Sequence, residues 1–161
     1  MTRLKLSHLA SISEIGAAIV VVISLLFIYQ ELQQNTKSTQ DASYQQFLSN
    51  LTDLELAEAS DPELTRISIL AELNPDELSD LDWARFTRIA SARIAQMEYA
   101  FISMTNGTMS ELHWEAVHPH MQVLLCELGY RKFLDEGGSV IYATAYLEFI
   151  NETMYQNCGQ E

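Results

Sequence analysis

The densest group of side chains that could do chemistry lies in the segment ELHWEAVHPH, which spans residues 111–120. It contains the three histidines His113, His118 and His120 together with two glutamates. Imidazole nitrogens and carboxylate oxygens are the ligands that zinc and iron sites use. Taken at its strongest, this segment would indicate a metal-dependent enzyme.

The spacing of these residues does not favour that interpretation. Ligands on one helix share a face only when they are three or four residues apart, yet His113 and His118 are five apart. Pro119 separates His118 from His120, and the chain has only one partial match, Glu115 to His118, to the paired Glu-x-x-His motifs of di-iron bundles. We therefore predict no metal and no cofactor, and expect surface or capping histidines.

A second charged group consists of Arg85, Arg88, Arg93 and Glu98, all in one helical segment. These side chains could line a cleft, but a solvated face or salt bridges to Asp80, Asp82 and neighbouring helices is the simpler expectation. The sequence contains no serine nucleophile elbow, HExxH zinc motif, phosphate-binding loop, dinucleotide fingerprint or CxxC pair. We therefore predict no catalytic residue and no enzymatic activity.

The elements that carry these residues are predicted to be helices. Apolar residues recur at helical spacing after residue 30, and no run alternates convincingly with a period of two. We expect a break in the first helix near residues 35–38, and a kink or split at Pro119 in a helix that Gly129 closes. A last helix is expected from about Val140 to Gln156. Other helix boundaries are expected at Asp61-Pro62, Asn74-Pro75, Asn106-Gly107, Ser110 and Gly137-Gly138.

The N-terminal segment is predicted to span a membrane. No charged residue occurs from Ile15 to Tyr29, and a helix from Leu9 to Tyr29 is about 31 Å long, enough for a hydrocarbon core of ~30 Å. A cleaved signal peptide and a buried helix of a soluble oligomer are the alternatives. We expect an N-terminal tail at 1–8, a transmembrane helix at 9–30 and an acidic all-helical domain at 31–161.

Small and hydroxyl-bearing residues mark one face of this predicted span. Ser13, Ala17 and Ser24 fall near the same side of the helix, with Gly16 beside them. Such residues permit close approach of a second transmembrane helix. They are the candidate helix-helix contact, and scattered small residues facing lipid are the alternative.

Charge restricts the partners and indicates the orientation. After residue 30 the chain has 21 acidic and seven basic residues, so nucleic acid is not an expected partner.

Two basic residues, Arg3 and Lys5, precede the span, while Lys37 alone closely follows it. The positive-inside rule therefore gives a weak preference for a cytoplasmic N-terminus and an exported domain.

Cys126 and Cys158 are the two cysteines of the chain. They are too few for a disulfide framework, and their spacing is not typical of a metal or redox site. Two ordinary thiols are expected. The alternative is one bridge that fixes the C-terminal tail.

The opening ISEIGAAIVVVISLLFIYQELQQNT, residues 12–36, resembles the start of a group of uncharacterised bacterial single-pass membrane proteins. Weaker similarities continue in Asn106-Gly107, in Trp114, in GYRKFLDEGG and in YLEFINETM. The group has no known activity, so the resemblance implies a small helical domain and a location in the bacterial cytoplasmic (inner) membrane. The group tends to place several basic residues after the span, which implies a cytoplasmic domain, but this chain has only Lys37 there.

The sequence thus predicts an all-α protein in which a transmembrane helix continues into a small helical bundle. A membrane-anchored interaction or scaffolding protein is the leading functional hypothesis. Its expected partners are the lipid bilayer and either other membrane proteins or a second copy. A membrane-tethered sensor or small-ligand-binding domain, with a pocket near Trp114, His118 and residues 85–93, is the alternative. An enzyme using His113, His118 and His120 ranks third.

Overall fold

The computed structural model describes residues 2–154 and 158, with side chains described for residues 12–152 and for 158. Within these residues all regular secondary structure is helical, which confirms the predicted all-α class. The elements are α1 (Thr2–Ser60), α2 (Pro62–Leu73), a 3₁₀ turn (Pro75–Glu77), α3 (Asp80–Thr105), α4 (Glu111–Cys126), α5 (Leu128–Asp135), a second 3₁₀ turn (Gly138–Ile141), α6 (Thr144–Phe149) and a π-helical turn (Ile150–Met154).

The chain divides into two compact units, Met1–Thr39 and Gln40–Glu161. In the first unit, the described part of α1 contains an 18-residue window with a mean hydropathy of 2.3, none of it buried. This segment is long and apolar enough to cross a bilayer.

The break expected in α1 near residues 35–38 does not occur, because these residues are helical. The Thr36 hydroxyl donates a hydrogen bond of 2.9 Å to the carbonyl of Leu32 in the preceding turn. A polar side chain of this type can satisfy itself inside a helix, and neither glycine nor proline interrupts the chain between Glu31 and Ser60. The polar composition that indicated a break therefore marks an exposed helical surface.

The core of the second unit forms around α3. Residues Phe86, Ala90, Ile94 and Met97 recur at helical spacing and are at most 1% exposed. The apolar side chains buried with them are Phe47, Ile67, Ala71, Ala100, Met109, Val117, Met121, Leu124, Leu125, Tyr130, Phe133, Leu134, Tyr142, Tyr146 and Ile150.

Three helices of this unit begin at side-chain caps. The carboxylate of Asp61 accepts hydrogen bonds from the backbone nitrogens of Glu63 and Leu64 at 2.9 and 3.3 Å. Ser79 and Ser110 cap α3 and α4 in the same way. Each cap satisfies a backbone donor that the first helical turn leaves without a partner.

The predicted end of α4 is wrong. Pro119 lies inside a helix that is not split, and α4 ends at Cys126 rather than at Gly129. Gly129 instead lies within α5, where a Cβ atom would be 2.8 Å from the carbonyl oxygen of Ala71 and from the Phe86 ring. The glycine therefore permits close packing of α5 on α2 and α3 rather than ending a helix.

The last predicted helix is also divided differently. Instead of one helix from Val140, the chain has a 3₁₀ turn, a short α6 and the π-helical turn, while Gln156 lies outside the described residues. The buried Tyr142 separates the first two elements, and its hydroxyl donates to the carbonyl of Ser91 at 3.2 Å. The backbone nitrogen of Ala143 donates to the Glu98 carboxylate. These two contacts tie the junction to α3.

The two cysteines form a disulfide, so the expectation of two ordinary thiols is wrong. Cys126 at the end of α4 is bonded to Cys158, with 5.3 Å between their Cα atoms. This separation lies in the usual range for a disulfide. The sequence could not show it, because 32 positions separate the two residues and only the fold brings them together.

Candidate functional site

The main polar cluster of the second unit is centred on Arg93 of α3. Its Nη2 atom donates to a carboxylate oxygen of Glu58 on α1 at 2.8 Å, and its Nη1 atom donates to the hydroxyl of Tyr130 on α5 at 2.9 Å. The side chains of Arg93 and Glu58 are only 12% and 15% exposed. Side chains of three helices, α1, α3 and α5, therefore come together around the largely buried guanidinium of Arg93.

Two further glutamates surround this pair. Glu72 lies near the end of α2, and Glu127 lies at the junction of α4 and α5. One oxygen of Glu127 and the Nε atom of Arg93 are buried without a hydrogen-bond partner in the described structure. We call Glu58, Glu72, Arg93, Glu127 and Tyr130 the Arg93 cluster.

Local sequence explains how these side chains come together. Thr65 of α2 donates its hydroxyl hydrogen to the carbonyl of Glu58 at 2.9 Å, which joins the end of α1 to α2. Gly129 packs against the carbonyl of Ala71, the residue before Glu72. Because Gly129 follows Glu127 by two residues, the same close approach brings the two glutamates towards one another.

The electrostatics of the cluster favour proton uptake by Glu127. Burial, followed by the nearby charge of Glu72, raises the pKa of Glu127 to about 7. Burial and Glu58 also raise the pKa of Glu72. With three carboxylates around one guanidinium, the last carboxylate to ionise meets an excess of negative charge.

Tyr130 and Arg93 keep their usual protonation states. Burial raises the pKa of Tyr130 to about 12, so the phenol remains neutral. Although burial alone would lower the pKa of Arg93, the neighbouring Tyr130 and Glu58 raise it overall. In the physiological range the cluster can therefore exchange a proton at Glu127 while the ion pair of Arg93 and Glu58 persists.

The histidines of α4 are not brought together as metal ligands. His113 stacks on Tyr44 with 4.1 Å between ring centroids, and its Nε2 atom is 3.9 Å from the Asp41 carboxylate. His118 lies against Trp114 and Phe149, with centroid distances of 5.4 and 6.0 Å. In the part of the chain that the structure describes, no three His, Cys, Asp or Glu side chains group as a metal ion requires.

The expectation of surface or capping histidines is wrong for two of the three. His113 and His118 are half-buried in aromatic contacts, whereas His120 is exposed. Tyr44, Phe101 and Phe149 supply the rings that pack around these two histidines and Trp114. Trp114 and His118 therefore pack against rings of the chain itself.

The charges of α3 agree with the expected solvated face and salt bridges to neighbouring helices. Arg85 and Arg88 are exposed, and Asp82 pairs with Arg66 of α2 at 3.0 Å. Among the three arginines discussed, Arg93 is the one that forms an ion pair in the described structure, and its partner Glu58 lies on the neighbouring helix α1.

Two surfaces of the second unit expose large apolar side chains. On α2, Ile69 and Leu73 are 51% and 64% exposed and border a shallow groove of about 610 Å³. On α4, Leu112 and Val123 are 73% and 64% exposed. We call the first surface, lined by Pro62, Thr65, Arg66, Ile69, Leu70 and Leu73, the α2 groove.

A polar groove of about 690 Å³ lies beside the first 3₁₀ turn and α5. Lys132 pairs there with Asp76 at 2.6 Å, and its ammonium group lies 4.9 Å from the centre of the Trp83 ring. The Trp83 indole donates to the Glu136 carboxylate at 3.0 Å. Lys132 is thus already held by an anion and an aromatic face.

In the first unit, Ser13, Ala17 and Ser24 are all exposed on α1. The Ser24 hydroxyl donates to the carbonyl of Val20 within the helix at 2.8 Å. Large apolar side chains surround these small residues, so a helix that packed here would meet a mostly hydrocarbon surface.

Comparison with known proteins adds no relative. No family model matches the chain, and neither the curated proteins nor the solved structures include a match. The features that bear on function are therefore the Arg93 cluster, the exposed apolar surfaces and the apolar part of α1.

Proposed function

We propose that this chain is a membrane-anchored helical interaction protein without catalytic activity, located in a bacterial cytoplasmic membrane. The observation that carries the proposal is the uninterrupted exposure of apolar side chains in α1 from Ile15 to Tyr29. A soluble protein rarely leaves so large an apolar surface uncovered, whereas a bilayer covers it at no cost.

Membrane insertion is tested by extraction of isolated membranes with alkaline carbonate. We expect the full chain to stay in the membrane fraction and the double variant Val20→Lys/Ile23→Lys to be released. Each lysine near the middle of a span costs about 2.5 to 3.5 kcal/mol. The control Gln34→Lys, outside the apolar segment, is expected to stay inserted. Release of the unaltered chain would contradict the anchor.

The exported side is the proposed location of the second unit. A disulfide between Cys126 and Cys158 is typical of an oxidising compartment, and Arg3 and Lys5 before the span favour a cytoplasmic N-terminus. Both observations support the same orientation independently.

Orientation is tested in intact cells with a membrane-impermeant maleimide after mild reduction. Labelling of Cys158 before permeabilisation supports an exported domain, and the variant Cys126→Ser/Cys158→Ser controls for background. Labelling that requires permeabilisation places the domain in the cytoplasm.

The interaction role is supported by the apolar side chains that the second unit exposes on α2 and α4. A photo-crosslinking amino acid is introduced in intact cells in place of Leu73, Leu112 or Val22, with exposed Glu77 as the control position. Protein adducts from at least one apolar position, absent at Glu77, are expected. Failure at all three apolar positions would contradict an interaction role.

A membrane-tethered sensor is the second candidate, and the Arg93 cluster favours it. A carboxyl group with a pKa of about 7 changes its charge within the physiological range. The sensor role predicts a reversible change in tryptophan fluorescence or in amide chemical shifts between about pH 6 and pH 8 that is lost in Glu127→Gln.

A further inference from the structure

The short helix α6 and the π-helical turn that follows it lie across α3 and α4 with one buried face. Tyr146 and Ile150, four positions apart, are 0% and 1% exposed, and Phe149 beside them is half-buried. Ala145 and Glu148 point away from this face and are exposed. We call the two elements together the strap.

The strap covers aromatic side chains of both helices. The ring centroid of Phe149 is 4.8 Å from that of Phe101 on α3 and 5.8 Å from that of Trp114 on α4. It is also 6.0 Å from the His118 ring, and the Tyr146 ring is 5.5 Å from Phe101. We call Phe101, Trp114 and His118 the aromatic surface, which the strap shields from solvent.

The strap has little local structure of its own to keep it in place. With six residues, α6 is shorter than two turns, and an isolated helix of this length does not form in water. Its first backbone donor, at Ala143, has no side-chain cap within the strap and donates instead to Glu98 of α3. The Tyr146 hydroxyl is buried without a hydrogen-bond partner in the described structure, which offsets part of the gain from burying the ring.

The two ends of the strap are fastened by different chemistry. At the near end, the Tyr142 hydroxyl donates to the Ser91 carbonyl at 3.2 Å, next to the Glu98 contact. At the far end, Cys158 is bonded covalently to Cys126, the last residue of α4. Both cysteine residues are partly exposed. Hydrogen bonds thus hold one end, and a reducible bond holds the other.

We propose that the disulfide between Cys126 and Cys158 is a redox-controlled fastener of the strap, so that reduction by a dithiol uncovers the aromatic surface and reoxidation covers it again. A thiolate of the dithiol attacks one sulfur and breaks the S–S bond, and its second thiol completes the exchange. Two electrons and two protons pass to the cysteines, which become thiols, while the dithiol becomes a disulfide.

The bond acts on the open state of the strap. While it is intact, the far end stays beside α4, so the open strap gains little conformational freedom and closes again rapidly. Once it is broken, the open strap gains the entropy of a free chain end. This inference concerns the second unit alone and goes beyond the proposed interaction role. The insertion and crosslinking experiments that test that role do not decide it.

Amide hydrogen exchange followed by mass spectrometry tests the release directly. The full chain in non-ionic detergent is compared in dithiothreitol and in oxidised dithiothreitol at neutral pH and room temperature. We expect peptides from the strap to exchange about tenfold faster or more after reduction, and peptides from the centre of α3 to change by less than about twofold. Unchanged exchange of the strap overturns the proposal. An equal rise in the strap and in α3 also overturns it, because the whole unit would then have loosened.

The two tryptophans provide a matched second readout. Trp114 belongs to the aromatic surface, whereas Trp83 lies 18 positions before Phe101 on α3, about 27 Å along the helix axis. The variant Trp83→Phe reports on Trp114 alone, and Trp114→Phe reports on Trp83 alone. We expect reduction to raise acrylamide quenching of Trp114 by about twofold and to leave Trp83 unchanged. Equal responses of the two tryptophans contradict release of the strap.

The variant Cys126→Ser/Cys158→Ser shows whether the response passes through this bond. Without dithiothreitol its strap should already exchange as in the reduced wild type, and dithiothreitol should change nothing further. Strap exchange as slow as in the oxidised wild type would overturn the proposal, because the strap would then stay closed without its fastener. Circular dichroism confirms that the variant remains helical.

Discussion

Arg93 compensates negative charge contributed by glutamates on several elements, and its loss should be costly. Arg93→Met keeps the apolar stem but leaves the Glu58 carboxylate shielded without its cation. Removing one partner of a buried ion pair typically destabilises a protein by about 3 to 5 kcal/mol. We expect a loss near the lower end of this range, measured by thermal unfolding of the detergent-solubilised chain.

Arg88→Met is the matched control, since Arg88 lies on the same helix and is exposed. Its effect should stay within about 0.5 kcal/mol. Equal destabilisation by the two variants would mean that the Arg93 ion pair contributes nothing specific.

Glu127 should make stability depend on pH. Its pKa is raised from an ordinary value of 4.5 to about 7 in the folded chain, so the folded state binds more protons than the unfolded state between these values. The stabilisation that protonation provides is complete below about pH 4.5 and is lost as the pH rises through about 7.

Glu127→Gln mimics the protonated group and should remove this dependence. We expect it to raise the free energy of unfolding at pH 8 by about 1 to 2 kcal/mol, after allowing for solvent screening of a partly buried group, and to have little effect at pH 4.5. Tryptophan fluorescence during thermal unfolding provides the measurement. Glu77→Gln, at an exposed position, should be neutral at both pH values. A gain at pH 4.5 equal to that at pH 8 would refute the linkage.

The residues that form the Arg93 cluster could not be selected from the sequence. Arg93 belongs to a charged group that the sequence shows, but Glu58, Glu72 and Glu127 resemble the many other acidic residues of an acidic chain, and they come from separate elements. The three histidines of α4 are close along the chain and could have formed a shared site, but they face different neighbours in the fold. Residues that are close in the sequence therefore need not be close in the fold, and the members of the Arg93 cluster are close in the fold although they are distant in the sequence.

At the scale of elements, Gly129 sets the distance between α5 and its neighbours. Gly129→Ala would place a methyl group 2.8 Å from the Ala71 carbonyl and the Phe86 ring. Overpacking of this kind costs about 1 to 3 kcal/mol. We expect a loss in this range, measured by thermal unfolding.

Gly16→Ala is the control for this change, because a methyl group at Gly16 meets no atom within 4 Å. The unfolding temperature of the second unit should not fall in that variant. If both alanine variants behave alike, α5 has room to move and the close approach is not a constraint.

The sequence predicted helix starts better than helix ends. Asp61, Ser79 and Ser110 act through local hydrogen bonds, and such short-range chemistry is visible in a few consecutive letters. Gly129 predicts a helix end and Pro119 a kink or split, but the glycine instead permits close packing of α5, and the proline lies inside an unsplit α4. The division of the last helix depends on Tyr142, whose contact with Ser91 joins distant parts of the chain.

At the scale of the whole molecule, the disulfide should contribute strongly to the stability of the second unit. Cys126 and Cys158 enclose α5, α6 and the intervening turns over a separation of 32 residues. A bridge that closes a loop of this length is expected to stabilise the fold by about 2 to 4 kcal/mol. We expect Cys126→Ser/Cys158→Ser to lose this amount in thermal unfolding.

Unfolding in reducing buffer distinguishes the effect of losing the disulfide from the effect of the serine substitutions themselves. Wild-type protein in reducing buffer should unfold at nearly the temperature of the double variant, and reductant should not affect the variant. An unchanged unfolding temperature on reduction of the wild type would show that the bridge contributes nothing to stability.

The disulfide between Cys126 and Cys158 closes the segment between them into a covalent ring. If a protease cuts the backbone once between Glu127 and Tyr142, the piece beyond the cut stays attached through sulfur to the end of α4. Such a nicked molecule runs as a single species on a non-reducing gel and separates into two fragments only when a thiol is added. The two fragments can therefore separate only where reductant is present.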